Sequence, residues 1–126
     1  MDFTSEKAIG AEIEADFEQL KLTGGYDHNF VLRGVGYRKV ATVTEPESGR
    51  VMTVHTDLPG VQFYTANHMN GEIPYKDGVK YPKHGGFCLE TQFFPNAPNT
   101  PWFPSSVFAA GEEYTSTTTY QFSILS

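Results

Sequence analysis

Hydrophobic and polar positions change period once along the chain. Over residues 6–20, Ile9, Ile13, Phe17 and Leu20 recur at spacings of four, four and three, which is one apolar stripe of a helix. Gly10 inside the pattern predicts a short or frayed helix, and Gly24-Gly25 ends it. Beyond that point the period falls to two. Strands are predicted over 29–32, 40–44, 50–56, 61–66, 87–93 and 114–125. Glu45-Pro46-Glu47-Ser48-Gly49 separates the second and third as a hairpin turn, and Pro59-Gly60 makes another turn.

Alternation assigns faces to these strands. Gln62, Tyr64 and Ala66 share one side of their strand, with Val61, Phe63 and Thr65 on the other. In the last strand Tyr114, Ser116, Thr118, Tyr120, Phe122 and Ile124 share a face, the pattern of a sheet packed on one side and wet on the other. Residues 67–86 read as a long loop, of a length often tied to function. The expected fold is all-β, with antiparallel sheets stacked as a sandwich, in one domain over 1–126.

Composition narrows the function classes. Aromatics make up 14% of the chain and hydrophobic residues 39%, enough for a core, while 12 glycines and 8 prolines fit frequent turns. Net charge is −6 with no basic run, which argues against binding a phosphate backbone, and a neutral ligand is compatible with it. The one cysteine, Cys88, cannot form an internal disulfide, so a reducing, cytoplasmic setting is expected. No secretory signal pattern opens the chain. The uncharged run 91–111 contains four prolines, which argues against a membrane helix. The four histidines are scattered without metal-site spacing, so no metal is expected.

Three polar positions invite chemistry. Glu90 is the only formally charged residue between His84 and Gly111, and it falls mid-strand in Phe87-Cys88-Leu89-Glu90-Thr91-Gln92-Phe93. A carboxylate there needs a partner, a hydrogen bond or a ligand cavity. Partial burial would raise its pKa toward the range of a general base, and the alternative is a carboxylate held by a neighbouring Arg or Lys. Gln62 lies on the Tyr64 face, as part of a sugar platform or as a solvent-facing strand edge. Asp27-His28 resembles a catalytic pair, but adjacent side chains on a strand point to opposite faces and do not easily cooperate. Pro95, Pro98, Pro101 and Pro104 recur every third residue, either as a partner-binding polyproline turn or, on the preferred reading, as a rigid crossover burying Phe94, Trp102, Phe103 and Phe108.

The segments Gly25-Tyr26-Asp27-His28-Asn29-Phe30, Pro59-Gly60-Val61-Gln62-Phe63-Tyr64-Thr65-Ala66-Asn67 and Gly86-Phe87-Cys88-Leu89-Glu90-Thr91-Gln92 resemble the aldose 1-epimerase, or galactose mutarotase, family. Ser48-Gly49-Arg50, Phe103-Pro104-Ser105 and Gly111-Glu112-Glu113-Tyr114 fit it as well. The resemblance implies the C-terminal part of a galactose mutarotase-like supersandwich, with residues 1–126 a single partial domain. It implies interconversion of the α and β anomers of free hexoses without a cofactor. By motif, Glu90 resembles the general base, and Asp27 and Gln62 resemble sugar-hydroxyl contacts. The family's general acid, a histidine, lies upstream of every matching segment, and His28, His55, His68 and His84 do not sit in its motif. The alternative is therefore a truncated, catalytically incomplete carbohydrate-binding remnant. The expected partners are a small aldose sugar and either the missing N-terminal part or a second copy of the chain, with no nucleic acid and no membrane.

Overall fold

The computed structural model describes residues 1–125. Six strands carry the fold: β1 (Asp27–Val31), β2 (Arg38–Thr44), β3 (Arg50–Thr56), β4 (Gly60–Tyr64), β5 (Cys88–Gln92) and β6 (Thr118–Ile124). They form two sheets, ordered β1-β4-β5 and β2-β3-β6. Among the described residues there is one short α-helix, α1 (Glu18–Thr23), and the fold is all-β with the strand make-up of an antiparallel sandwich. It divides into two compact units, Met1–His28 with Gln62–Leu89, and Asn29–Val61 with the segment from Glu90 onward.

The predicted hairpin forms as expected. β2 and β3 pair antiparallel from Arg38↔Thr56 to Thr44↔Val51, with an irregularity between Lys39 and Ala41. The turn holds because Glu45 caps it. Its carboxylate accepts from the amides of Glu47 at 2.9 Å and Ser48 at 2.7 Å, and from the Ser48 hydroxyl. The Ser48 hydroxyl bond, followed by the two amides, holds the Glu45 carboxyl below its ordinary pKa. β3 then pairs with β6 over seven positions, Arg50↔Ile124 to Thr56↔Thr118. Within the same unit, Thr118 Oγ1 lies 3.0 Å from Thr56 Oγ1 and 2.6 Å from Thr91 Oγ1, a three-hydroxyl chain at the start of β6.

Arg38 frames the loop before β2. Its Nε donates to the Arg33 carbonyl at 2.8 Å, and its Nη1 faces the carbonyls of Gly36, Thr56 and Leu58 at 2.9–3.2 Å. At the start of β4, a Cβ on Gly60 would stand 2.4 Å from Asn29 Oδ1 and 3.0 Å from Phe94 Cδ1. A side chain there would have to displace the Asn29 amide, so β4 begins in close approach to β1.

Three expectations fail. The predicted helix over 6–20 is instead a 3₁₀ turn at Ile9–Glu12 followed by α1, and of the stripe Leu20 alone is buried. Gly10 weakens the first segment, and a stripe stays helical only against a surface that buries it. The observed helix stops where expected: Gly24 takes the left-handed conformation, and its amide bonds the Leu20 carbonyl.

The final strand starts at Thr118 rather than at 114, and its expected packed face is open. Tyr120, Phe122 and Ile124 are all exposed, the last two at 74%. β6 ends its sheet, so alternation there records pairing with β3 and not burial. The proline-rich segment buries less than expected: Phe94 and Phe103 meet edge-on at 5.2 Å and are half-buried, but Trp102 is 81% exposed and Phe108 is exposed.

Candidate functional site

The first unit positions Asp27 and Gln62 from a buried framework around Tyr26. The Tyr26 ring is fully buried, stacks on Phe63 at 5.2 Å and meets Phe3 edge-on at 5.2 Å. Its backbone is held equally firmly. The Thr65 amide donates to the Tyr26 carbonyl at 3.1 Å, the Tyr26 amide donates to Thr65 Oγ1 at 3.0 Å, and Asn67 Nδ2 donates to the same carbonyl at 2.9 Å. Thr65 Oγ1 in turn donates to Asn67 Oδ1 at 2.7 Å. Gly25 is required beside this knot. Its φ is +145°, and a Cβ there would lie 2.3 Å from Asn67 Oδ1 and 2.8 Å from His84 Cε1.

That framework sets the register of β1 against β4. Within the first unit, the Thr65–Tyr26 backbone bond and the Gln62–Asp27 contact run in opposite order, so the strands are antiparallel there. Tyr64 then stands opposite Asp27, and Gln62 is its diagonal neighbour, within reach of a long side chain. The contact is made: Gln62 Nε2 donates to Asp27 Oδ1 at 2.8 Å, part-buried. The face expected for Gln62 and Tyr64 is also observed, because both are half-buried while Val61 and Phe63 are buried.

Asp27 and His28 do not act as a pair. The Asp27 side chain meets Gln62, whereas His28 Nδ1 accepts the Asp27 backbone amide at 3.0 Å, and His28 Nε2 is buried without a hydrogen-bond partner. His84 closes the long loop 67–86 onto the framework. Its Nδ1 bonds the Thr65 carbonyl at 2.8 Å, which places the proton on Nδ1 and leaves a buried, unpartnered Nε2. Sequence reasoning singled out neither Thr65 nor Asn67. The available signal was two polar residues that follow an apolar strand at a spacing of two.

Glu90 lies on β5, in the second unit, and is exposed. Its strand neighbours Cys88 and Leu89 are exposed and half-buried, so the strand is open at this point. No Arg or Lys holds it: the ion pairs among the described residues are Lys7–Glu12 and Lys21–Asp16. On the same strand, Gln92 Nε2 donates to Asn29 Oδ1 at 3.0 Å. Among the described residues no three His, Cys, Asp or Glu side chains come together as a metal ion would require, and no helix is long and apolar enough to cross a membrane.

An acid–amide pair on a half-buried strand face beside aromatic rings is an arrangement suited to hydroxyl groups. Comparisons with known proteins identify the family. The family model for aldose 1-epimerase matches residues 1–121. The chain belongs to the aldose 1-epimerase family. It is 50% identical over 101 residues to the galactose mutarotases of Bos taurus and Homo sapiens, covering 79% of this chain and 30% of each relative. It is 38% identical over 125 residues to the aldose 1-epimerase of Escherichia coli, covering 96% of this chain and 36% of that protein. The chain thus spans about a third of the length of the curated relatives it matches. These names are those of isomerases acting on aldose sugars.

Proposed function

We propose that this chain carries the sugar-hydroxyl contacts and the general base of an aldose 1-epimerase acting on free hexoses such as glucose and galactose. The observation that carries this reading is the Asp27–Gln62 hydrogen bond, formed by two residues that sit in family-like motifs. In it, one Asp27 oxygen is engaged and the other remains to accept from a sugar hydroxyl.

Glu90 is assigned the proton at C1. Its carboxylate takes the proton from the C1 hydroxyl, electrons from that oxygen form the C1 carbonyl, and the bond from C1 to the ring oxygen breaks. The ring oxygen takes a proton from a general acid, which the family resemblance assigns to a histidine upstream of these segments, and that acid recovers the proton on ring closure. Rotation about C1–C2 and the reverse steps give the other anomer and restore the Glu90 carboxylate. No redox partner is needed, because every electron pair and proton is returned. The single exposed thiol, Cys88, suits a reducing cytoplasm.

A second reading is a carbohydrate-binding remnant that holds sugar without turning it over. It is favoured by the histidines of this chain: His28 and His84 engage backbone groups, at the Asp27 amide and the Thr65 carbonyl. Polarimetry on freshly dissolved α-D-glucose, with the spontaneous rate subtracted, separates the two. Turnover by the protein carrying this chain, lost in Glu90→Gln, supports the enzyme. Sugar binding without turnover supports the remnant, and absence of both defeats the two readings together.

A further inference from the structure

The second unit contains a concave site of its own. An open cleft of about 360 Å³ is lined by Val35, Arg38, Asp57, Phe93, Tyr114 and Ser116 among others, and by none of Asp27, Gln62 or Glu90. Its volume falls within the ~300–1,000 Å³ typical of small-ligand sites.

Three features of the lining define what fits. The first is aromatic. Phe93, Phe108 and Tyr114 form a ring cluster, with centroids 6.1 Å apart for Phe93–Phe108, 6.2 Å for Phe93–Tyr114 and 4.7 Å for Phe108–Tyr114. Phe93 and Tyr114 reach the cleft, and Tyr114 is exposed. An exposed ring held by two others is a stable platform for the C–H face of a ligand. The second feature is paired opposite charge. The guanidinium of Arg38 is pinned by backbone carbonyls, and its Nη2 is closed off from solvent, so it serves as a fixed charge in the wall. Asp57 is exposed, and its two carboxylate oxygens share the Thr117 amide at 3.0 and 3.1 Å, which leaves most of its acceptor capacity free. An anion entering the cleft meets Asp57 and a cation meets Arg38, so the charges favour a neutral ligand. The third feature is the Ser116 residue on the same wall, which offers a hydroxyl.

We propose that this cleft is a second carbohydrate-binding site, taking a neutral pyranose whose C–H face lies on Tyr114 and whose hydroxyls donate to Asp57. It is independent of the Asp27–Gln62 pair and of any turnover at Glu90.

Saturation-transfer NMR with methyl α-D-glucopyranoside tests this. The probe is locked at C1 and cannot be epimerised. In the full chain carrying Asp27→Ala, transfer to the sugar C–H protons should persist. Adding Val35→Trp should reduce it severalfold, because the larger side chain takes up ligand space. Val35 is 95% exposed, so the larger ring fills the cleft without entering the core. Tyr114→Ala should act likewise, and Tyr114→Phe should retain the signal. The proposal is overturned if Asp27→Ala alone abolishes transfer, if Val35→Trp leaves it intact, or if the C–H protons of benzoate or tetramethylammonium receive transfer as strong as the sugar's and equally sensitive to Val35→Trp. Should the Asp27–Gln62 reading be wrong instead, Asp27→Ala would change nothing and Val35→Trp would still remove the signal.

Discussion

Gln62 Nε2 donates to Asp27 Oδ1 at 2.8 Å, so the carboxylate is oriented before any ligand arrives. Pre-orientation of this kind lowers the ordering penalty of binding. It also makes the pair asymmetric in its response to mutation. Removing Gln62 leaves a part-buried carboxylate to turn freely. A hydrogen bond to a charged group contributes about 1.5–3 kcal/mol. Gln62→Ala in the active protein should therefore reduce kcat/KM by roughly 10–100-fold, mainly through KM. Steady-state mutarotation kinetics over a range of glucose concentrations would check this, and an unchanged KM would remove Gln62 from the sugar site.

Glu90→Gln keeps the size and exposure of the side chain and removes only its basicity. General base assistance contributes ~10²–10⁴-fold. The loss should appear in kcat, with KM changed little, and Glu90→Asp should recover part of it. If the glutamine variant turns over sugar at the parental rate, the base is another group.

Tyr26 combines a fully buried ring with a hydroxyl that has no hydrogen-bond partner among the described residues. Burial pushes its phenol pKa up, opposed by the charge of Lys7. The folded state then holds this proton more tightly than the unfolded chain, whose tyrosines titrate near ~10. Its contribution to stability is complete below that pH and is lost as pH rises above it. Tyr26→Phe removes an unsatisfied hydroxyl, so it should be neutral or stabilising by up to about 1 kcal/mol, and it should flatten the alkaline fall in stability. Urea unfolding at pH 8 and near pH 10.5 would show this, and a large destabilisation at pH 8 would mean the hydroxyl has a partner.

Gly25→Ala should be severe. The added carbon would overlap Asn67 Oδ1 at 2.3 Å and His84 Cε1 at 2.8 Å, on a backbone with φ of +145°. Backbone strain combined with a broken buried network accounts for large mutational effects, so a loss of about 3 kcal/mol or more is expected. A urea midpoint within experimental scatter of the parent would show that the knot can yield.

The exposed, uncharged strand β6 is the clearest route to self-association. It ends its sheet, and Phe122 and Ile124 project from it. Edge strands without a charge or proline recruit other strands. The 126-residue chain should elute as concentration-dependent oligomers in size-exclusion chromatography with light scattering, and Phe122→Lys with Ile124→Lys should shift it toward monomer. A wild-type chain that stays monomeric on concentration would contradict this.

The strands were largely readable in the sequence because a two-residue period survives wherever one face is buried. Val61 and Phe63 against Gln62 and Tyr64 show this directly, and Glu45 to Gly49 carries the turn chemistry in five residues. The reading failed where period and burial part company. Tyr120, Phe122 and Ile124 alternate as though packed, yet they are exposed. Ile9, Ile13 and Phe17 form a stripe that lacks the packing surface needed to stabilise a long helix. Of the candidate site, Asp27, Gln62 and Glu90 are singled out by motif resemblance alone, and the diagonal contact between the first two follows from register. Thr65, Asn67 and His84 were not legible, since their bonds depend on the chain returning across the loop 67–86 to meet Tyr26.

The close approach at Gly60 has a consequence for genetics. Any side chain there displaces Asn29 or Phe94, yet the residue offers no side-chain atom to a ligand. A mutational scan scored only by sugar turnover would rank position 60 beside Asp27, Gln62 and Glu90. Scored in parallel for cellular abundance, the same library would separate them: variants at position 60 would vanish from the protein pool, while inactive Glu90 variants would accumulate.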